Sequence, residues 1–197
     1  VTASMRINAA GVSLENILIT GGFDNITRVV DINGVVDVTL KDIEYRDVTG
    51  QCAIGIHARD GSDRLTIDGL RYNGAAAAGS TRALQLDGCD ELRLTNFDIS
   101  GNFDVAAINF ITTLSARIRI WQGRIWNQNA ADVCILDTIT GCTGDIGPDL
   151  NLMLTENAIN ITEAVTGATF QLFDPVYVCN LVNEKAMLIN WTASTDA

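Results

Sequence analysis

The chain has 197 residues, 47% of them hydrophobic and only two of them proline, which suits one globular domain with a sizeable core and excludes general disorder. Thirteen basic residues against 24 acidic ones give a formal charge of −11. That balance speaks against nucleic acid and against anionic membrane surfaces, both of which need a basic face, and no apolar run approaches the roughly 18 residues of a membrane-spanning helix.

Residues 1–11 precede the first full repeat and are expected to cap the lower end of the fold or to serve as an arm to a partner; they lack the charged start and apolar run of a secretory signal. From Val12 one phrase then returns. Val12-Ser-Leu14-Glu-Asn-Ile17, Val38-Thr-Leu40-Lys-Asp-Ile43, Leu65-Thr-Ile67-Asp-Gly-Leu70 and Leu92-Arg-Leu94-Thr-Asn-Phe97 share one apolar pattern, and Ile118-Arg-Ile120-Trp-Gln-Gly-Arg-Ile125 keeps its first half. The steps between copies are 26, 27, 27 and 26 residues. A second ladder runs in phase: Val30/Ile32, Ile56/Ala58, Leu84/Leu86, Ile108/Phe110 and Val133/Ile135. The first three pairs are followed by Asn33-Gly34, Asp60-Gly61 and Asp87-Gly88, and Thr112-Thr113 replaces that corner in the fourth. Asx side chains and glycine suit a sharp corner because one bonds its own backbone and the other tolerates positive φ.

Inside each phrase the apolar period is two, so the repeats are strands and not helices. Two or three short strands per coil with tight corners predict a parallel β-helix solenoid of about five coils, 26–27 residues each, over residues 12–154. Constant register over five copies argues against an antiparallel sandwich. Asn16, Asp42, Gly69, Asn96 and Gln122 are expected to form a polar ladder at another corner. Tyr72–Ser80 reads as a small-residue surface loop, 138–148 as a Gly-rich insertion that breaks the rhythm, and Leu150–Leu154 as a last rung. Residues 155–197 read as a strand-rich, non-repeating C-terminal segment that covers the upper end and serves oligomerisation, with Phe170, Phe173, Tyr177 and Trp191 as its aromatic contacts.

The coils resemble the right-handed parallel β-helix family with the pectate-lyase-like fold, and within it the decoration (cement) and tailspike modules of phage virions. The resemblance implies an all-β architecture. It also implies two kinds of function. Polysaccharide lyases of this fold use an acidic calcium cluster with a basic residue, and glycosidases need two carboxylates. Asp60 and Asp87, with Asp63, Asp90, Arg59 and Arg64 nearby, are the weak catalytic candidates here. The competing reading is that Asp60 and Asp87 are corner residues, since Asn33 and Thr113 hold the same position without a carboxylate.

His57 has no partner pattern and is expected to point outward. The five cysteines, Cys52, Cys89, Cys134, Cys142 and Cys179, contain no CxxC pair and read as small buried hydrophobes, with a Cys134–Cys142 pairing left open. No metal site and no cofactor is expected. Lys41, Asp68 and Trp121 share an outward column with Thr95. With Trp126 they are candidates for a lateral subunit contact or, alternatively, for a glycan platform. The resemblance to virion modules implies a non-enzymatic capsid decoration protein. It would be a homotrimer that binds the major capsid protein or another virion protein, assembled in the host cytoplasm. A tailspike module that binds or cleaves host polysaccharide, or a small lyase or hydrolase, is the alternative.

Overall fold

The computed structural model describes residues 4–21, 26–47, 52–74, 80–129, 132–139 and 142–154, and beyond these only short strands. In chain order the strands are β1 (Met5–Ile7), β2 (Ser13–Gly21), β3 (Ile26–Asn33), β4 (Thr39–Asp47), β5 (Cys52–Arg59), β6 (Thr66–Asp68), β7 (Arg71–Asn73), β8 (Arg82–Asp87), β9 (Arg93–Gly101) and β10 (Ala106–Phe110). They continue as β11 (Ile118–Asn127), β12 (Val133–Asp137), β13 (Gly144–Ile146), β14 (Leu150–Leu154), β15 (Val165–Thr166), β16 (Gln171–Leu172), β17 (Val176–Asn180) and β18 (Lys185–Ile189). No helix occurs among the described residues.

Each coil gives one strand to a seven-stranded sheet, ordered β1-β3-β5-β8-β10-β12-β15, and one strand or two short ones to an eleven-stranded sheet whose main path is β18-β17-β14-β11-β9-β6-β4-β2. Every pairing is parallel except β17 with β18. This is the parallel β-solenoid that the repeat predicts. The rungs are tied by a regular ladder in which the N–H groups of Thr39, Thr66, Arg93 and Arg119 donate to the carbonyls of Val12, Val38, Leu65 and Leu92 at 2.8–2.9 Å.

Alternation along each strand sends one set of side chains inward, and register stacks like on like. Leu40, Ile67, Leu94 and Ile120 form one inward column, and Val30, Ile56, Leu84 and Ile108 another; each is at most 3% exposed. A buried Leu or Ile contributes about 2 kcal/mol in transfer terms, so these columns carry the fold.

Three further columns hold left-handed backbone. Gly11, Asp37, Arg64, Glu91 and Arg117 bend the chain before the second sheet, at φ 54–70°. Asn16, Asp42, Gly69, Asn96 and Gln122, at φ 50–77°, bend it within that sheet, and Asp149 at 57° extends the expected polar ladder by one coil. Gly34, Asp60, Gly88 and Thr112, at φ 57–67°, bend it after the first sheet. The expected corner is thus present with its alignment displaced by one residue. Asn33 pairs with Arg59 and Arg59 with Asp87, so Asp60 stands in the place of Gly34 and Gly88, not in that of Asp87.

The stacking also extends beyond the expected limits. β1 lies parallel to β3, so residues 5–7 already belong to the first sheet. β13 pairs with Ile118–Ile120 inside the segment expected to break the rhythm, and so forms a sixth copy. Its apolar signal is missing because Gly144 occupies the position: a Cβ there would stand 2.1 Å from the Ile118 carbonyl oxygen. The loosened fifth copy has a similar cause. Gly123 stacks on Phe97, whose ring atoms would meet a Cβ at 2.6 Å, so the large ring fills the space of both coils. Above β14, strands β15, β16 and β17 keep parallel pairing, and β18 alone reverses. Tyr72, expected at the start of a surface loop, is 1% exposed in β7 and packs between Tyr45 and Phe103, with ring centroids 4.8 and 5.8 Å away.

Candidate functional site

A buried polar cluster lies on the outer face of the first sheet. Arg6, Asp31, His57, Gln85 and Asn109 stack in register there, one from each coil. The face is outward by alternation, yet Asp31 is 0% and His57 4% exposed. Arginines from this and the flanking columns close over them. Asp31 accepts from Arg6 Nε at 3.1 Å and from Arg59 Nε at 3.0 Å, with Arg28 Nε 3.9 Å away. Asn109 accepts from Arg82 Nε at 2.9 Å. Burial alone would raise the pKa of Asp31; the hydrogen bond and charge of Arg59, with the charges of Arg28 and His57, outweigh it and hold the carboxyl below its ordinary value.

His57 is therefore on the outer face as expected, but covered and partnered. Burial first, then the positive charge of Arg28, lowers its pKa to about 4 against the pull of Asp31. The ring is neutral at pH 7. Its Nε2 lies 2.9 Å from the Gln85 amide nitrogen, which donates to it, so the proton sits on Nδ1, 3.8 Å from Asp31 Oδ1. An imidazole with its lone pair engaged and its face covered is a structural member of the column.

The carboxylates singled out for catalysis occupy the corners. Asp60 is exposed and pairs with Arg59 at 2.6 Å. Asp87 Oδ1 accepts from the Thr113 N–H at 3.0 Å, Asp63 Oδ1 from the Asp90 N–H at 3.0 Å, and Asp90 Oδ1 from the Ala116 N–H at 2.8 Å. Three of the four thus tie one coil's corner to the backbone of the next. Asp60 and Asp87 lie on adjacent coils but in different columns.

Beside this corner a half-open groove of about 450 Å³ runs along the solenoid axis. Two columns line it: Asp37, Arg64, Glu91 and Arg117, and next to them Thr39, Thr66, Arg93 and Arg119. In the first column charges alternate and pair. Arg64 holds Asp37 through two bonds of 2.6 and 2.9 Å, and Arg117 holds Glu91 at 3.0 Å and Asp90 at 3.4 Å. The hydrogen bond from Arg64 lowers the pKa of Asp37. A second alternating column, Glu44, Arg71, Asp98 and Arg124, lies farther along the same sheet, with Arg124 bidentate to Asp98 at 2.9 and 2.8 Å.

Lys41, Asp68, Thr95 and Trp121 do share one column. Within it Asp68 accepts from Thr95 Oγ1 at 3.1 Å and from Asn96 Nδ2 at 2.7 Å. Trp121 and Trp126 are half-buried, and the Arg119 guanidinium carbon lies 5.3 Å from the Trp121 ring centroid. Trp126 stacks on Ser100, away from that column. Tyr177 lies in β17 beside Asn151, while Phe170, Phe173 and Trp191 fall outside the described residues.

Cys52, Cys89, Cys134 and Cys142 are buried thiols outside any disulfide, so the open Cys134–Cys142 pairing is not made. Burial raises their thiol pKa values, Cys52 and Cys142 to about 11 and Cys134 to about 12. Among the described residues no group of three or more His, Cys, Asp or Glu side chains could hold a metal ion.

Asp137 is a feature that the sequence reading missed. The expected fifth inward pair, Val133/Ile135, is displaced: Ile135 stacks on Ile108, and Asp137 stacks on Phe110 inside the core, 4% exposed. Burial raises its pKa against the hydrogen bonds of the Ile139 N–H, 2.8 Å from Oδ1, and of the Cys142 thiol.

No family model matches the chain, and neither does any curated protein or solved structure.

Proposed function

We propose that the chain is a non-enzymatic structural protein of a virion, a decoration (cement) protein that sits on the head shell as a homotrimer. The observation that carries this reading is the way its charged side chains are used. Asp31, Asp37, Asp63, Asp87, Asp90, Glu91 and Asp98 each bond an arginine or a backbone N–H of a neighbouring coil. Carboxylates placed this way stiffen a prism along its axis and are already engaged as acceptors, which suits a load-bearing body better than acid–base chemistry.

The lower end supports a seated partner. β2 is the outermost strand of its sheet, and among the described residues nothing pairs with its outer edge. Leu14, Ile17 and Ile19 are only half-buried there, and Leu18 is 54% exposed. An apolar strand edge of nine residues left in water invites pairing, and on this reading the partner is the major capsid protein or another virion protein. The virion setting itself rests on the resemblance of the coils to phage β-helix modules.

The test is reconstitution. Adding the purified protein to heads assembled without it should give saturable binding and raise the temperature at which the heads open. Heads that neither bind the protein nor gain stability would contradict the reading.

A further inference from the structure

Several outward columns on this solenoid follow a rule of opposite sign on neighbouring rungs. It holds for Asp37, Arg64, Glu91 and Arg117, for Glu44, Arg71, Asp98 and Arg124, and for Glu15, Lys41 and Asp68. The column Thr39, Thr66, Arg93, Arg119, Asp145 breaks it at one step. Arg93 and Arg119 are directly paired residues of β9 and β11, so two positive side chains stand on adjacent rungs. Like charges placed opposite each other in a sheet are destabilising.

No carboxylate among the described residues is within ion-pair distance of Arg93, and Arg119 reaches Asp145 only at 4.0 Å. Both line the groove, whose other two arginines, Arg64 and Arg117, are matched by Asp37 and Glu91. Four arginines and two carboxylates therefore line the groove, with Asp145 next to Arg119 at its end, on a chain of net charge −11. Two adjacent arginines in one groove, beside a column whose charges alternate and pair, mark a site whose cost is offset by function.

We propose that Arg93 and Arg119 form a clamp for a tetrahedral oxyanion, a sulfate or phosphate group, lying in this groove. The geometry favours that class over a carboxylate. A guanidinium holds an oxyanion through two N–H groups along one O–O edge. A carboxylate has a single such edge, so it takes one guanidinium through two bonds and a second through one oxygen only, as Asp31 takes Arg59 and Arg6. A tetrahedral oxyanion has several edges and can serve two arginines from rungs about 4.8 Å apart. The Thr39 and Thr66 hydroxyls line the same groove below the pair and provide further donors. The group is either a free ion or an ester on a saccharide, and the clamp recognises what the two share.

The test uses the full chain and the arginine Nε–Hε resonances. Sodium sulfate, sodium phosphate and sodium acetate are titrated separately at constant ionic strength. Sulfate and phosphate should move the Arg93 and Arg119 signals saturably and bind roughly tenfold more tightly than acetate. R93Q/R119Q should weaken sulfate binding by at least about tenfold, whereas R124Q, in a paired column outside the groove, should leave it unchanged. The single variant R93Q removes the like-charge contact without losing an ion pair among the described residues and should fold at least as stably as the parent, so its loss of binding cannot be ascribed to unfolding. A sulfated disaccharide that binds more tightly than inorganic sulfate identifies the ester as the ligand, and equal affinity identifies the free ion. Shifts that fail to saturate, that are equal at Arg124, that acetate reproduces, or that survive R93Q/R119Q would overturn the clamp.

Discussion

His57 offers a sharp test of how the solenoid uses its buried polar column. Its pKa is about 4 in the folded chain against 6.5 for the free side chain, because burial and the charges of Arg28 and Arg59 outweigh the attraction of Asp31 and Asp87. Between those two values the unfolded chain binds a proton that the folded chain refuses. Unfolding free energy therefore rises with pH across this window and falls as the pH drops. Integrating the linkage from pH 7 to pH 5 with these two pKa values gives a loss of about 2 kcal/mol. Asp31 does not confound the measurement, since its carboxyl is held below its ordinary value and titrates at lower pH. His57→Gln keeps a neutral polar side chain next to Gln85 and cannot titrate. Urea unfolding followed by tryptophan fluorescence at pH 5, 6 and 7 should show the parent losing about 2 kcal/mol more than the variant. Equal losses in the two proteins would refute the assignment of His57 as a buried, neutral, covered imidazole.

Other substitutions probe the packing and the corners. Gly55→Ala would place a Cβ 2.2 Å from the Tyr72 ring and 2.5 Å from the Ala83 carbonyl oxygen, and should cost about 3 kcal/mol by urea unfolding. Thr112 is a β-branched residue at φ 59°, so Thr112→Gly should raise stability by roughly 1 kcal/mol, read as a higher urea midpoint. Burial raises the pKa of Asp137, so its contribution is favourable below the unfolded pKa and is lost as the pH rises through the folded one. Asp137→Asn should therefore stabilise the chain by roughly 1 kcal/mol at pH 7 and not at pH 3. The thiols of Cys52, Cys89, Cys134 and Cys142 should resist a thiol reagent in the native state and react only after denaturation.

The repeat was legible because each inward column must stay apolar, and apolar residues at steps of 26 and 27 survive in plain sequence. Exceptions to that constraint were invisible. Gly144 keeps a rung by having no side chain, Gly123 leaves its volume to Phe97, and Asp137 puts a carboxylate where the column calls for an apolar residue. The corner was readable as a corner but not in its alignment. Asp60 takes the left-handed conformation that Gly34 and Gly88 take elsewhere, and Asx residues suit either place. The outward columns were the largest omission. The residues before each copy, Asp37, Arg64, Glu91 and Arg117, alternate in sign at the same step as the apolar repeat. Carrying the alignment one residue further back would have revealed the pairing. Arg6 and Arg59, which bond Asp31, belong to other coils, so no local spacing announces those bonds.

The most direct test of the proposed structural role is the mass of the purified chain in solution by size-exclusion chromatography with light scattering. A homotrimeric decoration protein predicts three times the 21.2 kDa chain mass, unchanged on dilution. A monodisperse particle of single-chain mass would contradict it.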